Sequence, residues 1–234
     1  MTTSAQIGLM SCINQPVGEQ IFTSAGTFVV PSGVTQISLV CIDSGDSANP
    51  YVRLKRGSTV LCGNGASGQT VMSGGGGGAG NECVGFNGVN SYTYYSTGGG
   101  GGAGGYYGSG GAGGTGSYEY NDGFGSPTYT AATNGSSGTY DGGKGANGDT
   151  SNPTTGTGTS LLGSGGSGTK YGGGLSGDPT STAKDGKPGG TLYYPNTYIA
   201  VTPGESLTVE HPPQGNGAMR IIWGPGRIYP GSPA

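Results

Sequence analysis

Few side chains in this sequence suit acid–base, metal or nucleophilic chemistry, and their spacing argues against each use. His211 is the single histidine and stands between Glu210 and Pro212 at the end of a β-like stretch. A solvated or packed imidazole is the ordinary role there, ahead of a general base. Cys12, Cys41, Cys62 and Cys83 form no C-x-x-C pair and cannot complete a zinc site with one histidine at the usual spacings. They read as small, buried, reduced hydrophobes. The acids are scattered, without an obvious pair for glycoside hydrolysis, though pairing in space stays open. Asp122, Asp141, Asp149 and Asp178 could line a calcium site if their loops converge; solvated turns are the simpler alternative. Gly138-Thr139-Tyr140-Asp141-Gly142-Gly143-Lys144-Gly145 approaches a phosphate-binding loop. Gly145 occupies the place of the Mg²⁺-binding hydroxyl, and no helix follows. At this glycine frequency roughly three G-x-G-x-x-G matches arise from composition alone, and none opens a helix. The expectation is a protein that is not an enzyme, with no catalytic residue, no metal and no cofactor.

Recognition is the chemistry that remains. The chain has 15 Tyr against 4 Phe and 1 Trp. Tyr92, Tyr94, Tyr95, Tyr106, Tyr107, Tyr118, Tyr120, Tyr129 and Tyr140, with Phe124, lie among Ser, Asn, Gly and Thr. Antibody contact loops share this composition. Tyrosine supplies large amphipathic area at low entropic cost, and small polar neighbours adapt. These ten residues are the candidate receptor-binding set, suited to sugars or to the rim of an outer-membrane protein. The alternative is that the rings cap the ends of the glycine-rich part.

That part must position them. From Gly98 to Gly116 two registers of a three-residue repeat are glycine, with one break at Tyr107. The third register (Gly100, Ala103, Tyr106, Ser109, Ala112, Thr115) carries nearly all the side chains. Three residues per turn is the polyproline-II helix, which makes no internal hydrogen bonds. Two bare faces let such helices pack and bond to one another, so the third face is expected to point outward. Collagen needs one glycine register and proline-rich partners, which are missing here. With 57 Gly and 14 Pro in 234 residues, disorder is the competing reading. A charged fraction of only 9% and a net charge of −3 oppose it. The same balance gives no basic stripe for nucleic acid. No apolar run is long enough to span a bilayer, so membrane insertion is not expected. The first residues lack a signal-peptide pattern, which predicts synthesis in a cytoplasm without export by that route.

Composition divides the chain into an N-terminal attachment segment (1–20), a β-scaffold (21–62 with 191–230) and a glycine-rich domain (63–190). Phe22–Val30 reads as a strand, Ile37–Ile42 as a buried strand, and Val52–Lys55 with Thr59–Cys62 as a hairpin. Tyr198–Val201 and Leu207–Val209 flank a type II turn at Pro203-Gly204, and Ala218–Trp223 is a last strand. The heptapeptide Gly74–Gly80 returns at Gly98–Gly104, and fainter threefold spacing continues at Gly142, Gly145, Gly148 and at Gly163–Gly168. Phe86–Thr97, Ser117–Tyr140, Asn152–Ser160 and Thr180–Pro188 are candidate loops. The fold class expected is all-β: a sandwich-like scaffold from both chain ends, an inserted polyglycine-II sandwich and essentially no α-helix.

Three motifs carry a resemblance. Phe22-Thr23-Ser24-Ala25-Gly26-Thr27-Phe28-Val29-Val30-Pro31-Ser32-Gly33-Val34 opens the chain, and Gly217-Ala218-Met219-Arg220-Ile221-Ile222-Trp223-Gly224-Pro225-Gly226-Arg227 closes it, with Ile199-Ala200-Val201-Thr202-Pro203-Gly204-Glu205 between. Together they resemble glycine-rich virion proteins of tailed bacteriophages. The glycine zone is similar to the tip adhesins of T-even-like long tail fibres, whose polyglycine-II sandwich presents distal loops to the host. The resemblance implies a receptor-binding tip-fibre adhesin located on the virion. Its partners would be a fibre or another virion protein and a bacterial surface lipopolysaccharide, capsule or outer-membrane protein. Such fibres are often trimeric, but one tip can cap three chains, so a homotrimer and a single tip both stay open. A purely structural virion or decoration protein is the alternative. Ice binding, the third reading, needs evenly spaced small residues on a flat face. Two departures stand out: the Val-Thr-Pro-Gly turn follows the glycine runs, and residues 1–20 lack the aromatic attachment segment of the T-even adhesins.

Overall fold

The computed structural model describes residues 16–45, 51–86, 91–96, 98–116, 118–120, 128–130, 133–140, 185–213 and 217–230. Within these residues the chain is all-β, with antiparallel sheets and no helix of the α type. The candidate calcium ligands, Phe124, and the glycines from 142 to 168 lie outside them, as do residues 1–15 of the expected attachment segment.

Both chain ends build the scaffold, as the sequence predicts. Strands β1 (Gly18–Phe22), β14 (Ala218–Trp223), β3 (Gln36–Ile42), β11 (Leu192–Pro195) and β6 (Gln69–Met72) form one sheet in that order. β12 (Ile199–Ala200) pairs with β3. A second sheet runs β2 (Gly26–Val29), β13 (Ser206–Glu210), β4 (Arg53–Arg56) and β5 (Thr59–Cys62). The expected strand from Phe22 to Val30 is in fact two. A turn at 23–25 separates them, so that β1 joins the first sheet and β2 the second. The two predicted turns are present: Gly57 between β4 and β5 has φ 57°, and Gly204 has φ 82°, as the third residue of a type II turn requires.

Period-two alternation then assigns each side chain to a layer. Ile37, Leu39, Cys41, Met219, Ile221 and Trp223 face the second sheet and meet Phe28, Leu54, Leu207 and Val209 in one core. Val40, Ile42, Leu192, Tyr194, Ala218 and Ile222 point the other way into a second core. The middle strands β3 and β14 are therefore buried on both faces, which is why they read as nearly unbroken apolar runs. β6, which the expected boundaries assign to the glycine domain, is an edge strand of the scaffold sheet.

Asp43 follows β3 and is 4% exposed. Its Oδ1 accepts the Val52 amide at 2.6 Å, and its own amide donates to the Thr191 carbonyl at 2.9 Å. Burial pushes its carboxyl up to about 7, against the Val52 N–H, the Tyr193 hydroxyl and the charge of Arg53, all of which pull it down. The unfolded chain releases this proton near pH 4 while the folded chain holds it to about pH 7. Asp43 thus stabilises fully below pH 4, and that contribution is lost as pH rises through 7. Glu19, Glu205 and Glu210 act oppositely. Their arginine and lysine partners hold them below the usual range, so their contribution is lost as pH falls below about 4.5. Unfolding free energies from urea titrations should peak near pH 5 and decline by up to about 3 kcal/mol toward pH 7.5. Asp43→Asn should abolish the decline and keep the acid limb; a wild-type profile flat from pH 5 to 7.5 would contradict the burial argument.

Candidate recognition surface

Among the described residues the glycine zone contains five threefold-screw segments: I (73–80), II (98–105), III (108–116), IV (133–139) and V (186–190). Segments I and II match the repeated heptapeptide. Their backbone bonds recur every three residues. Gly75 and Gly78 amides of I donate to Gly102 and Gly99 carbonyls of II at 2.8 Å; Gly99, Gly102 and Gly105 of II donate to Gly114, Gly111 and Gly108 of III. Gly110, Gly113 and Gly116 of III return to Ser73, Gly76 and Ala79 of I, while II and V, and V and I, are joined in the same rhythm. Segments I, II and III therefore bond in a triangle, and I, II and V form another. That packing in several directions distinguishes a polyglycine-II bundle from a pleated sheet, whose strands bond only to two sides.

Glycine is required by this closeness. A Cβ on Gly75, Gly78, Gly98, Gly101, Gly110 or Gly113 would overlap a carbonyl oxygen of the neighbouring segment. Gly76 faces open space. Segment IV solves the problem differently. The amides of Thr133, Ser136 and Thr139 donate to the carbonyls of Thr115, Ala112 and Ser109 at 2.9–3.0 Å. Their hydroxyls in turn accept the amides of the same three residues at 2.8–2.9 Å. Hydroxyl side chains at a spacing of three thus dock an outer segment onto III. Glycine spacing alone predicts a loop over 133–139; the period of three is carried there by the Thr-x-x-Ser-x-x-Thr spacing.

The third register does not point outward throughout. Ser109, Ala112 and Thr115 of III are exposed, as expected. In II, Ala103 is fully buried and the row turns onto the scaffold sheet, continuing into Tyr106. Segment II is central, so its one side-chain face fills the second core.

The bond directions fix the ends. I and III run one way, and II, IV and V run the other. The scaffold end holds the II–III turn, Tyr140, and the junctions of I with β6 and of V with β11. At the distal end, about 20 Å away for seven to eight residues of 3.1 Å rise, lies a third sheet. It comprises β10 (Thr128–Thr130), β9 (Tyr118–Tyr120), β7 (Asn81–Phe86) and β8 (Ser91–Ser96). The stretches expected to be loops, Phe86–Thr97 and Ser117–Tyr140, supply β8, β9, β10 and segment IV instead.

The candidate tyrosines are accordingly split. Tyr92, Tyr94, Tyr95, Tyr118, Tyr120 and Tyr129 are brought together on the distal sheet. Tyr94 stands opposite Cys83, Tyr95 opposite Glu82, and Tyr120 beside both Val84 and Thr128. Tyr106, Tyr107 and Tyr140 lie at the scaffold end. Tyr107 is 53% and Tyr140 92% exposed, the latter at φ 48°. Tyr106 corrects the expectation of a contact residue. It is 1% exposed, stacked on Tyr229 at 5.6 Å and 7°, and its carbonyl accepts the Tyr194 hydroxyl at 3.0 Å. It caps the bundle against the sheet. Burial pushes the Tyr229 phenol up to about 12, opposed by Arg220. Arg220 is itself anchored by Glu19.

Among the described residues no group of His, Cys, Asp and Glu could hold a metal ion. Cys41 and Cys62 are free thiols, buried, with sulfurs 3.4 Å apart. His211 is engaged at both ring nitrogens, 2.8 Å from the Pro212 and Gly217 carbonyl oxygens.

No protein-family model, curated protein or solved structure matches this chain.

Gly113→Val should lower stability by the upper end of the overpacking range, about 3 kcal/mol or more. Gly76→Ala should change it by less than about 1 kcal/mol in either direction. Thermal midpoints of the two variants compare a crowded and an open position of the same bundle; equal midpoints would refute close packing.

Proposed function

We propose that this chain is a receptor-binding adhesin at the tip of a bacteriophage tail fibre, recognising a bacterial surface polysaccharide or outer-membrane protein through the tyrosines of its distal sheet. The reading rests on the resemblance of the chain's opening and closing motifs and on one structural observation. Six tyrosines share a small sheet at the end of a rigid bundle, opposite the scaffold through which a fibre would be joined. Contact area presented on a packed support avoids much of the ordering cost that a flexible loop incurs on binding. Tyrosine adds little rotamer entropy of its own.

The function is passive binding. The scaffold end docks on a virion partner, the bundle sets the distance, and the distal sheet meets the cell. Removing two tyrosines of the edge strand β8 tests this. Tyr94→Ala combined with Tyr95→Ala should raise the protein concentration needed to compete with phage adsorption by about tenfold or more. The thermal midpoint of the bundle should stay within a few degrees. Unchanged competition by a folded variant would take that strand out of the receptor site. Failure of the wild-type protein to compete at all would favour a structural virion component.

A further inference from the structure

The scaffold has a concave site of its own, remote in sequence from the distal sheet. Leu54, Leu207 and Val209 turn inward to the sandwich core, which leaves Arg53, Lys55, Thr208 and Glu210 on the outer face of the second sheet. A groove of about 620 Å³ opens at the end of this face, where β13 runs into His211-Pro212-Pro213. That volume lies within the range of small-ligand sites, about 300–1,000 Å³.

Charged residues are scarce in this chain, at 9%, yet several converge here. The Arg53 guanidinium lies over the Tyr51 ring, 3.8 Å from its centroid. Its Nε donates to Glu210 Oε2 at 2.9 Å, and Lys55 Nζ donates to Glu210 Oε1 at 2.8 Å. The guanidinium is thereby held in plane on one side and along one edge. Its two Nη groups make no hydrogen bond among the described residues. Arg53 and Lys55 thus share the Glu210 carboxylate, and the Arg53 charge also acts on the Asp43 carboxyl. His211 is spent on holding its own loop through two carbonyls. Exposed Thr27, Thr208 and Pro213 also line the groove.

We propose that this groove binds an acidic saccharide unit, a pyranose bearing one carboxylate. A fixed guanidinium end takes a carboxylate through two parallel hydrogen bonds. Thr27 and Thr208 take ring hydroxyls, and the proline wall packs on the C–H face of the sugar. A free inorganic anion would leave the apolar wall and both hydroxyls unused. The site is separate from the distal tyrosines, so its failure leaves the adhesin reading standing, and the reverse also holds.

The full chain, labelled with ¹⁵N, is titrated with glucuronate, galacturonate and N-acetylneuraminate, and in parallel with glucose, galactose and inorganic phosphate. At least one acidic sugar should shift the Thr27, Arg53 and Thr208 amides saturably, and its neutral counterparts should bind at least about tenfold more weakly. Arg53→Gln should abolish the shifts while the thermal midpoint holds. Thr208→Val, which replaces an exposed strand hydroxyl and leaves the charges in place, should weaken binding several-fold and serves as the test if Arg53→Gln fails to fold. The proposal is overturned if no acidic sugar produces saturable shifts, if phosphate alone reproduces them at the same concentration, or if a folded Arg53→Gln or Thr208→Val binds as the wild type does.

Discussion

Everything in this protein depends on backbone amides meeting backbone carbonyls of a neighbouring segment, at about 2.8 Å, every third residue. At that approach no Cβ fits between I, II, III and V at the positions that face one another. The bundle therefore has no side-chain core. Ordering each glycine costs roughly 1–2 kcal/mol of backbone entropy, whereas each bond returns about 0.5–1.5 kcal/mol net. Hydrogen bonds alone therefore fall short of that cost. An apolar contribution is added where the bundle meets the scaffold: Ala103, Tyr106 and Met72 on Val40, Ile42, Leu192 and Ile222.

That junction explains the most distinctive local sequence. In Arg220-Ile221-Ile222-Trp223 successive residues serve different layers. Ile221 and Trp223 enter the sandwich, with the indole 5.7 Å from the Phe28 ring. Ile222 enters the core shared with the bundle. Arg220 lies on that same side, 2% exposed, and is tied to Glu19 on β1 across the sheet. Glu19 also receives Arg227, whose Nη1 donates to the Gly18 carbonyl at 2.7 Å. One carboxylate thus locks the first strand, the last strand and the tail after it. This closing motif is, in physical terms, the clamp that closes the chain and carries the bundle.

Legibility from sequence followed the strength of the periodicity. Strands β3 and β14, the β4–β5 hairpin and the Pro203-Gly204 turn were readable, because apolar alternation and turn residues act over a few neighbours. Glycine in threes exposed segments I, II and III for the same reason. Three things were not readable. Segment IV hides its period in hydroxyls, since Thr133, Ser136 and Thr139 mimic what glycine does elsewhere. The short strands β7 to β10 pair across the bundle end, and nothing local marks them off from loops. The inward turn of Ala103 and Tyr106 depends on segment II being central, which is a property of the packing. The tyrosine set suffered most from this last limit, because Tyr94 and Tyr106 look alike in composition and lie at opposite ends of the bundle.

The split has a physical logic. A threefold screw carries its side chains along one row, so a bundle can offer large rings only at its ends or along its outermost row. At the scaffold end the ring of Tyr106 is consumed in closing the junction, between Tyr229 and Tyr194. On the outermost rows, the residues are small and partly engaged: Ser109, Ala112 and Thr115 bind segment IV through their backbone.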